Sequence, residues 1–397
     1  MKKITQGYKR ELKQKILAER FAELPDSSFQ KIMKLAEECK GIISLGPGEP
    51  DFTTPKNIID AGKKALDEGF THYSPPQGRK ELRELIAKKA KKENKIECSP
   101  ENIIVTSGST EGILLSVLNI VDPSEEILTP NPGFIAYIPI IELMDAVPVS
   151  YYLNESNGFH LDIEEIKKKI SKKTRGIILN TPSNPTGTVY KKKVLEEIAG
   201  IAIENELMVI SDEAYEKFVY GNAKHISIAS LNGMQSNVIT LHSFSKTYAM
   251  PGFRIGYAIA PEWFTKCLTR LHVYSTLCAP TISQKMAEAA LSQSQKEVQN
   301  MRNEYERRRK MILKKIKELH ALHVEVEPEG AFYVFPKIKY KNFSSHEFAE
   351  FLLKEAKVLV VPGNEFGSNG EGFIRLSYAT NYELIEEAMQ RIAKATK

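Results

Sequence analysis

The chain has 397 residues, of which 42% are hydrophobic and 26% charged, and carries a net charge of +5. That is a globular profile, long enough for two domains and too mildly basic to make nucleic acid or a membrane surface the main partner. Cys39, Cys98, Cys267 and Cys278 stand far apart with no C-x-x-C pair, which fits a reducing compartment and argues against a zinc knuckle or a disulfide framework.

The opening "MKKITQGYKRELKQK" is basic with no apolar run behind it, so no secretory signal is read there and the expected location is cytoplasmic. From residue 100 to 260, short apolar runs alternate with helical patterns. The expected strands are 102–106, 125–129, 147–153, 175–180, 207–212, 237–242 and 254–260. Several lack polar alternation, so both of their faces should be covered. Helical stretches such as "KKKVLEEIAGIAIENE" fall between them. The fold class is therefore α/β, a mostly parallel sheet flanked by helices. One long helical pattern follows over 282–319 and leads to a smaller α+β unit. Its "YERRRK" run, flanked by acidic residues, reads as a solvated helix face rather than an anion patch.

Polar clusters fall at the carboxyl ends of these strands, where the ligand cleft of an open parallel sheet lies. Ser107-Gly108-Ser109-Thr110 follows the first strand, Asn180 and "PSNPTG" the fourth, Asp212 ends the fifth and Lys246 follows the sixth. A phosphate asks for backbone N–H groups at a helix start, hydroxyls and an arginine. "SGSTEG" offers the helix start, Ser243 and Ser245 the hydroxyls, and Arg254 the guanidinium. A protonated pyridine nitrogen asks for a carboxylate, here Asp212, and a phenolate oxygen for donors such as Tyr215 and Asn184. A lysine near positive charge has a lowered pKa and suits imine chemistry. Together these point to pyridoxal 5'-phosphate held by Lys246. Taken singly, each has a plainer reading: Asp212 a helix cap, "SNPTG" a turn, Phe134 a core ring, Arg375 half of a buried ion pair.

Nine stretches carry a resemblance: "ISLGPGEPDFTTP", "THYSPPQGRKELRE", "VTSGSTEGI", "NTPSNPTGTVY", "VISDEAYEKF", "SFSKTYAMPGFRIGY", "PEGAFYVFP", "VLVVPGNEFG" and "GFIRLSYAT". In that order and spacing the chain resembles the class I/II aminotransferases of fold type I, in the branch of prokaryotic aspartate and aromatic enzymes. The resemblance implies that Lys246 forms the internal aldimine and shuttles the proton, Asp212 pairs with the ring nitrogen, and Tyr215 and Asn184 hold the phenolic oxygen. It implies that Gly108, Ser109, Thr110, Ser243 and Arg254 hold the phosphate, with Tyr73 reaching the phosphate of a neighbouring subunit, hence a homodimer. Phe134 takes the place of the ring-stacking aromatic. Arg375, with Asn184 and Gly48, clamps the α-carboxylate.

The implied reaction moves an amino group between an L-amino acid and a 2-oxo acid in two half-reactions. The alternative on the same scaffold is a carbon–sulfur lyase or another elimination enzyme. A nicotinamide enzyme is set aside because no G-x-G-x-x-G joins a strand to a helix. The implied layout is a large cofactor domain over 49–285, with 1–48 and 286–397 forming the small one. Thr110 stands where some relatives that prefer acidic substrates carry a lysine, so strict aspartate specificity is not implied.

Overall fold

A computed structural model describes Met33, Lys34, Glu37 and residues 40–397. Cys39 and the basic N-terminal segment lie outside the described residues. A short strand, β1 (Ile43–Ser44), comes first. The central sheet then takes β2 (Ile103–Thr106), β3 (Glu126–Asn131), β4 (Val147–Tyr152), β5 (Thr174–Asn180), β6 (Met208–Asp212), β7 (Val238–Ser243) and β8 (Gly256–Ile259) in the order β2-β8-β7-β6-β5-β3-β4. All neighbours run parallel except β8, which is antiparallel to both β2 and β7.

Adjacent residues of these strands belong to opposite cores. Ile177, Val209 and Val238 face one cluster, and their successors Ile178, Ile210 and Ile239 the other. A strand sends successive side chains to opposite faces, so a run without polar alternation needs cover on both. Helices Ser109–Ile120, Tyr137–Glu142 and Glu262–Ser275 cover one face through Ile113, Leu115, Ile140, Phe264 and Leu268. Helices Lys56–Asp67, Lys80–Lys89 and Lys192–Glu204 cover the other through Ile58, Leu82, Ile86, Leu195 and Ile198. Burying each such side chain stabilises the fold by about 1.5–3 kcal/mol relative to leaving it in water.

Two boundaries differ from the expected strands for local reasons. β3 runs on to Asn131, through Pro130. Its pairing with β5 ends at Leu128 while that with β4 continues to Tyr152, so the proline sits where one edge of the strand has no ladder to break. β8 starts at Gly256 rather than 254 because Arg254 has φ 47° and cannot continue a strand.

The long helical pattern is two helices, Thr281–Ser292 and Lys296–Lys317. Gln293 is extended at φ −100°, ψ −175°. Gln295 Nε2 donates to the carbonyls of Ala290 and Gln293 at 2.9 and 3.0 Å, satisfying groups that a continuous helix would have paired internally. Within the second helix the solvated-face reading of "YERRRK" fails at Arg308. That residue is buried and pairs with Asp51 at 2.8 Å and Glu304 at 2.9 Å.

Beyond it lie β9 (Leu322–His323), β10 (Tyr333–Val334), β11 (Lys337–Ile338), β12 (Val358–Leu359), β13 (Val361–Pro362) and β14 (Ile374–Ser377). They form small sheets, β10-β14-β13, β11-β9 and β1-β12. The last helix, Tyr382–Ala395, packs on Lys296–Lys317.

Candidate active site

The carboxyl ends of β5, β6 and β7 and the start of the helix after β2 open on one cavity of about 270 Å³. Of the residues singled out in the sequence, Gly48, Ser109, Thr110, Phe134, Asn184, Asp212, Tyr215, Ser243, Ser245, Lys246, Arg254 and Arg375 line it. Gly108 caps the helix immediately behind. Tyr73 does not line it; its side chain is 82% exposed on the surface.

At one end the helix Ser109–Ile120 begins with Gly108 at φ 88°, ψ 161°, a conformation only glycine adopts readily. A Cβ there would lie 2.4 Å from Nη2 of Arg254. The guanidinium is therefore packed against Gly108 at the start of a helix, and an arginine beside a helix N-terminus is an anion-binding arrangement. Arg254 donates to the Pro251 carbonyl at 3.3 Å and pairs with no carboxylate among the described residues. Ser243 caps the short helix Phe244–Thr247, its Oγ accepting from the Ser245 N–H at 3.2 Å. That bond leaves the hydroxyl hydrogen of Ser243 available to a ligand.

Lys246 lies on the helix after β7 and its Nζ donates to the carbonyl of Gly48. Burial, then the positive charges of Arg375 and Arg254, lower its pKa to about 8, against an opposing pull from Glu49 and Asp212. Asp212, at the end of β6, is buried and accepts from the Tyr137 hydroxyl at 2.7 Å and the Ala214 N–H at 3.2 Å. Burial raises its pKa and the Tyr137 hydrogen bond works against that rise. Behind it, wholly buried Glu213 accepts from Ser211 and Ser227 at 2.9 and 2.7 Å and pairs with His225 at 2.8 Å.

Arg375, on β14, is buried. Nη1 donates to Asn184 Oδ1 at 2.9 Å, Nη2 to the Gly46 carbonyl at 2.6 Å, and Nε has no partner among the described residues. A buried cation without a carboxylate partner is held at a substantial desolvation cost, and burial lowers its pKa. It is the feature of this cavity that most asks for an anionic ligand. Tyr215 and Tyr333 share a hydroxyl–hydroxyl hydrogen bond of 2.8 Å, and burial pushes both phenols upward.

Sequence reasoning missed Tyr137, Tyr333 and Gly46. Tyr137 lies three positions after Phe134 in "NPGFIAY", across a turn closed by the Tyr137 N–H donating to the Phe134 carbonyl at 3.1 Å, and the two rings meet edge to face at 5.5 Å. Nothing local marks Tyr333 or Gly46, whose contacts with Tyr215 and Arg375 span long stretches of chain.

A mostly parallel sheet whose carboxyl edge gathers a lysine of lowered pKa, a buried carboxylate and two arginines that have no carboxylate partner among the described residues defines an enzyme acting on small anionic molecules. Comparison with known proteins narrows this. The family profile of aminotransferase class I and II matches residues 40–392. The chain is 47% identical over 384 residues to aromatic-amino-acid aminotransferase 2 of Thermococcus litoralis, covering 96% of this chain and 98% of that protein. It is 46% identical over 384 residues to aspartate aminotransferase of Pyrococcus abyssi, with the same coverage. The crystal structure of an aromatic aminotransferase from Pyrococcus horikoshii superposes with a TM-score of 0.87 at 46% identity, covering 91% of this chain and 98% of that one. The chain belongs to the class I and II aminotransferases and is an aminotransferase; these relatives lend nothing to the lyase alternative.

Proposed function

We propose that this aminotransferase works with pyridoxal 5'-phosphate and that Lys246 is the amine that holds it. The residues present suit that group. The Gly108 cradle, Ser109, Thr110, Ser243, Ser245 and Arg254 would take its phosphate, Asp212 its ring nitrogen, and Tyr215 and Asn184 its phenolic oxygen. Phe134 would lie against the ring. When bound, the cofactor supplies an electron-withdrawing ring that accepts the charge left when the α-proton of an amino acid departs.

The side chains supply the rest. Arg375 fixes the amino acid's α-carboxylate through a two-pronged contact, with the backbone of Gly48 beside it. Fixing that group sets the direction of the α C–H bond, and orientation of this kind lowers a barrier by several kcal/mol. Lys246 Nζ would take the α-proton and deliver it to the cofactor's C4′ carbon rather than back to the α-carbon. A pKa of about 8 leaves a useful fraction of this amine neutral near pH 7 while its conjugate acid still donates readily. Asp212, held by the Tyr137 hydroxyl, would face the cofactor's ring nitrogen and keep a proton between them.

For the substrates we infer an L-amino acid and a 2-oxo acid, with an aromatic donor ahead of aspartate. Among the described residues the cations lining the cavity are Lys246, Arg254 and Arg375. Proton transfer, the phosphate and the α-carboxylate occupy these three in turn, leaving none for a side-chain carboxylate, whereas Pro47, Phe134 and Ile135 add apolar wall. We also propose a cytoplasmic homodimer in which Tyr73 reaches the partner's phosphate site, consistent with its exposure. Residues 49–285 would form the large domain, and 1–48 with 286–397 a small domain that closes over substrate. No helix among the described residues is long and apolar enough to cross a membrane.

The observation that carries the reading is the meeting of Lys246, Asp212, Arg254 and Arg375 on one cavity. Borohydride reduction of protein loaded with pyridoxal phosphate, followed by peptide mapping, should place the label on Lys246. Label elsewhere, or none at saturation, would sink the assignment. A donor panel with 2-oxoglutarate as acceptor should show tyrosine or phenylalanine turning over faster than aspartate.

A further inference from the structure

We propose that Tyr333 is a positioning residue with two separable roles: its hydroxyl directs Tyr215 and its ring supports Arg375. These roles rest on Tyr215 serving the cofactor's phenolic oxygen and Arg375 the substrate's α-carboxylate. Tyr333 pairs with Ser377 across β10 and β14, so Arg375, two positions along β14, is its diagonal neighbour on the same face. The Arg375 guanidinium carbon lies 4.3 Å from the centre of the Tyr333 ring, and a second ring, Phe366, lies 4.9 Å from it. Aromatic faces attract a guanidinium and hold its plane while leaving its N–H edges for an anion.

The other end of Tyr333 meets Tyr215 at 2.8 Å. If Tyr215 donates its hydrogen into the cavity, the hydrogen of this bond must come from Tyr333. A donor placed on the Tyr215 oxygen polarises that hydroxyl and makes it a stronger donor onward. The fit around Tyr333 leaves little freedom. The residue is fully buried, and a Cβ on Gly48 would lie 2.5 Å from its hydroxyl oxygen. Glycine at 48 thus does two jobs: it presents its carbonyl to Lys246 and makes room for the Tyr333 hydroxyl.

Two variants separate the roles. Tyr333→Phe keeps the ring and removes the hydroxyl, and Tyr333→Leu removes both. Two properties of the cofactor-loaded protein are read: the dissociation constant of 3-phenylpropanoate, a carboxylate with no amino group to transfer, by calorimetry, and the pH midpoint of the visible absorbance change. A weaker donor stabilises an oxyanion less, so the midpoint should rise in both variants, by about 0.2–0.5 pH unit, the share of one hydrogen bond that polarisation by its neighbour supplies. Carboxylate affinity should stay within about twofold in Tyr333→Phe and fall about tenfold in Tyr333→Leu. A purely structural role would move both readouts together and in step with stability. An unmoved midpoint in Tyr333→Phe, or equal loss of carboxylate affinity in the two variants, would overturn the proposal. If the parent protein itself gives no pH-dependent visible band with pyridoxal phosphate, the cofactor reading falls and takes this proposal with it.

Discussion

Gly108→Ala tests the proposed phosphate cradle at its tightest point. Two effects add. The backbone at φ 88°, ψ 161° lies in a region essentially restricted to glycine, and forcing alanine there costs about 1–3 kcal/mol. The new methyl would also lie 2.4 Å from Nη2 and 3.0 Å from Cζ of Arg254. Those atoms end a flexible side chain, so the chain should still fold, but the guanidinium must swing away from the helix start. Losing one charge-assisted hydrogen bond to phosphate weakens binding by about 1.5–3 kcal/mol, or roughly tenfold to a hundredfold. The assay is a titration with pyridoxal phosphate followed by absorbance, beside urea unfolding of cofactor-free protein. Adding Arg254→Ala completes a double-mutant cycle. If the methyl acts through the guanidinium, Gly108→Ala should weaken binding far less when Arg254 is already gone. Full additivity of the two effects would refute this reasoning, as would unchanged cofactor affinity in the single variant.

Two further outcomes are expected. On the proposed role of Lys246, the initial rate of pyridoxal phosphate capture by the free protein requires its neutral amine, whose pKa is lowered to about 8. The rate should therefore climb as pH rises through about 8 and level off above it, and a rise centred near 10 would show that the amine is unperturbed. Because the folded value lies below the unfolded one, the same residue should make stability increase with pH between about 8 and 10.5. The second concerns Lys89, buried beside Glu216, which it contacts together with Asn94, the latter donating to Glu216 at 2.6 Å. Lys89→Met leaves a carboxylate buried without its lysine, and chemical unfolding should register a loss of about 3–5 kcal/mol. A loss under about 1 kcal/mol would mean that His242, 3.4 Å from Glu216, carries the compensation instead.

The sheet was legible because its signal is local: unbroken apolar runs such as "GIIL" and "MVIS" can be satisfied only with both faces covered. The residues at the strand ends were legible for a related reason, since a parallel sheet delivers its carboxyl ends to one edge whatever the loops do. What escaped depends on contacts between distant segments. Arg308 reads as one more charge in "YERRRK", and only its meeting with Asp51, far along the chain, removes it from solvent. Tyr333 looks like core in "PEGAFYVFP", which it is, and its hydroxyl matters only because Tyr215 lies opposite. The split at Gln293–Gln295 escaped because glutamine and serine weaken a helical pattern without interrupting it. Tyr73 belongs to a third kind: its proposed role lies between two chains, and within one chain its surroundings are solvent.

The strap Gly46–Asp51 gives these separate pieces a common logic. Its carbonyls at Gly46 and Gly48 accept from Arg375 and Lys246, and Asp51 anchors it to Arg308 on the helix Lys296–Lys317. The two cations that would do the chemistry are therefore partnered by neutral dipoles rather than carboxylates. That arrangement favours exchange. An arginine locked to a buried carboxylate would have to break a charged pair before taking up substrate, and breaking such a pair is expensive. Giving up a carbonyl for a two-pronged contact with a carboxylate is a step toward stronger bonding. Asn184 and the Tyr333 ring meanwhile hold the guanidinium in place during the swap. The strap's carbonyls satisfy the cations enough to keep them folded inward and weakly enough for an anion to displace them.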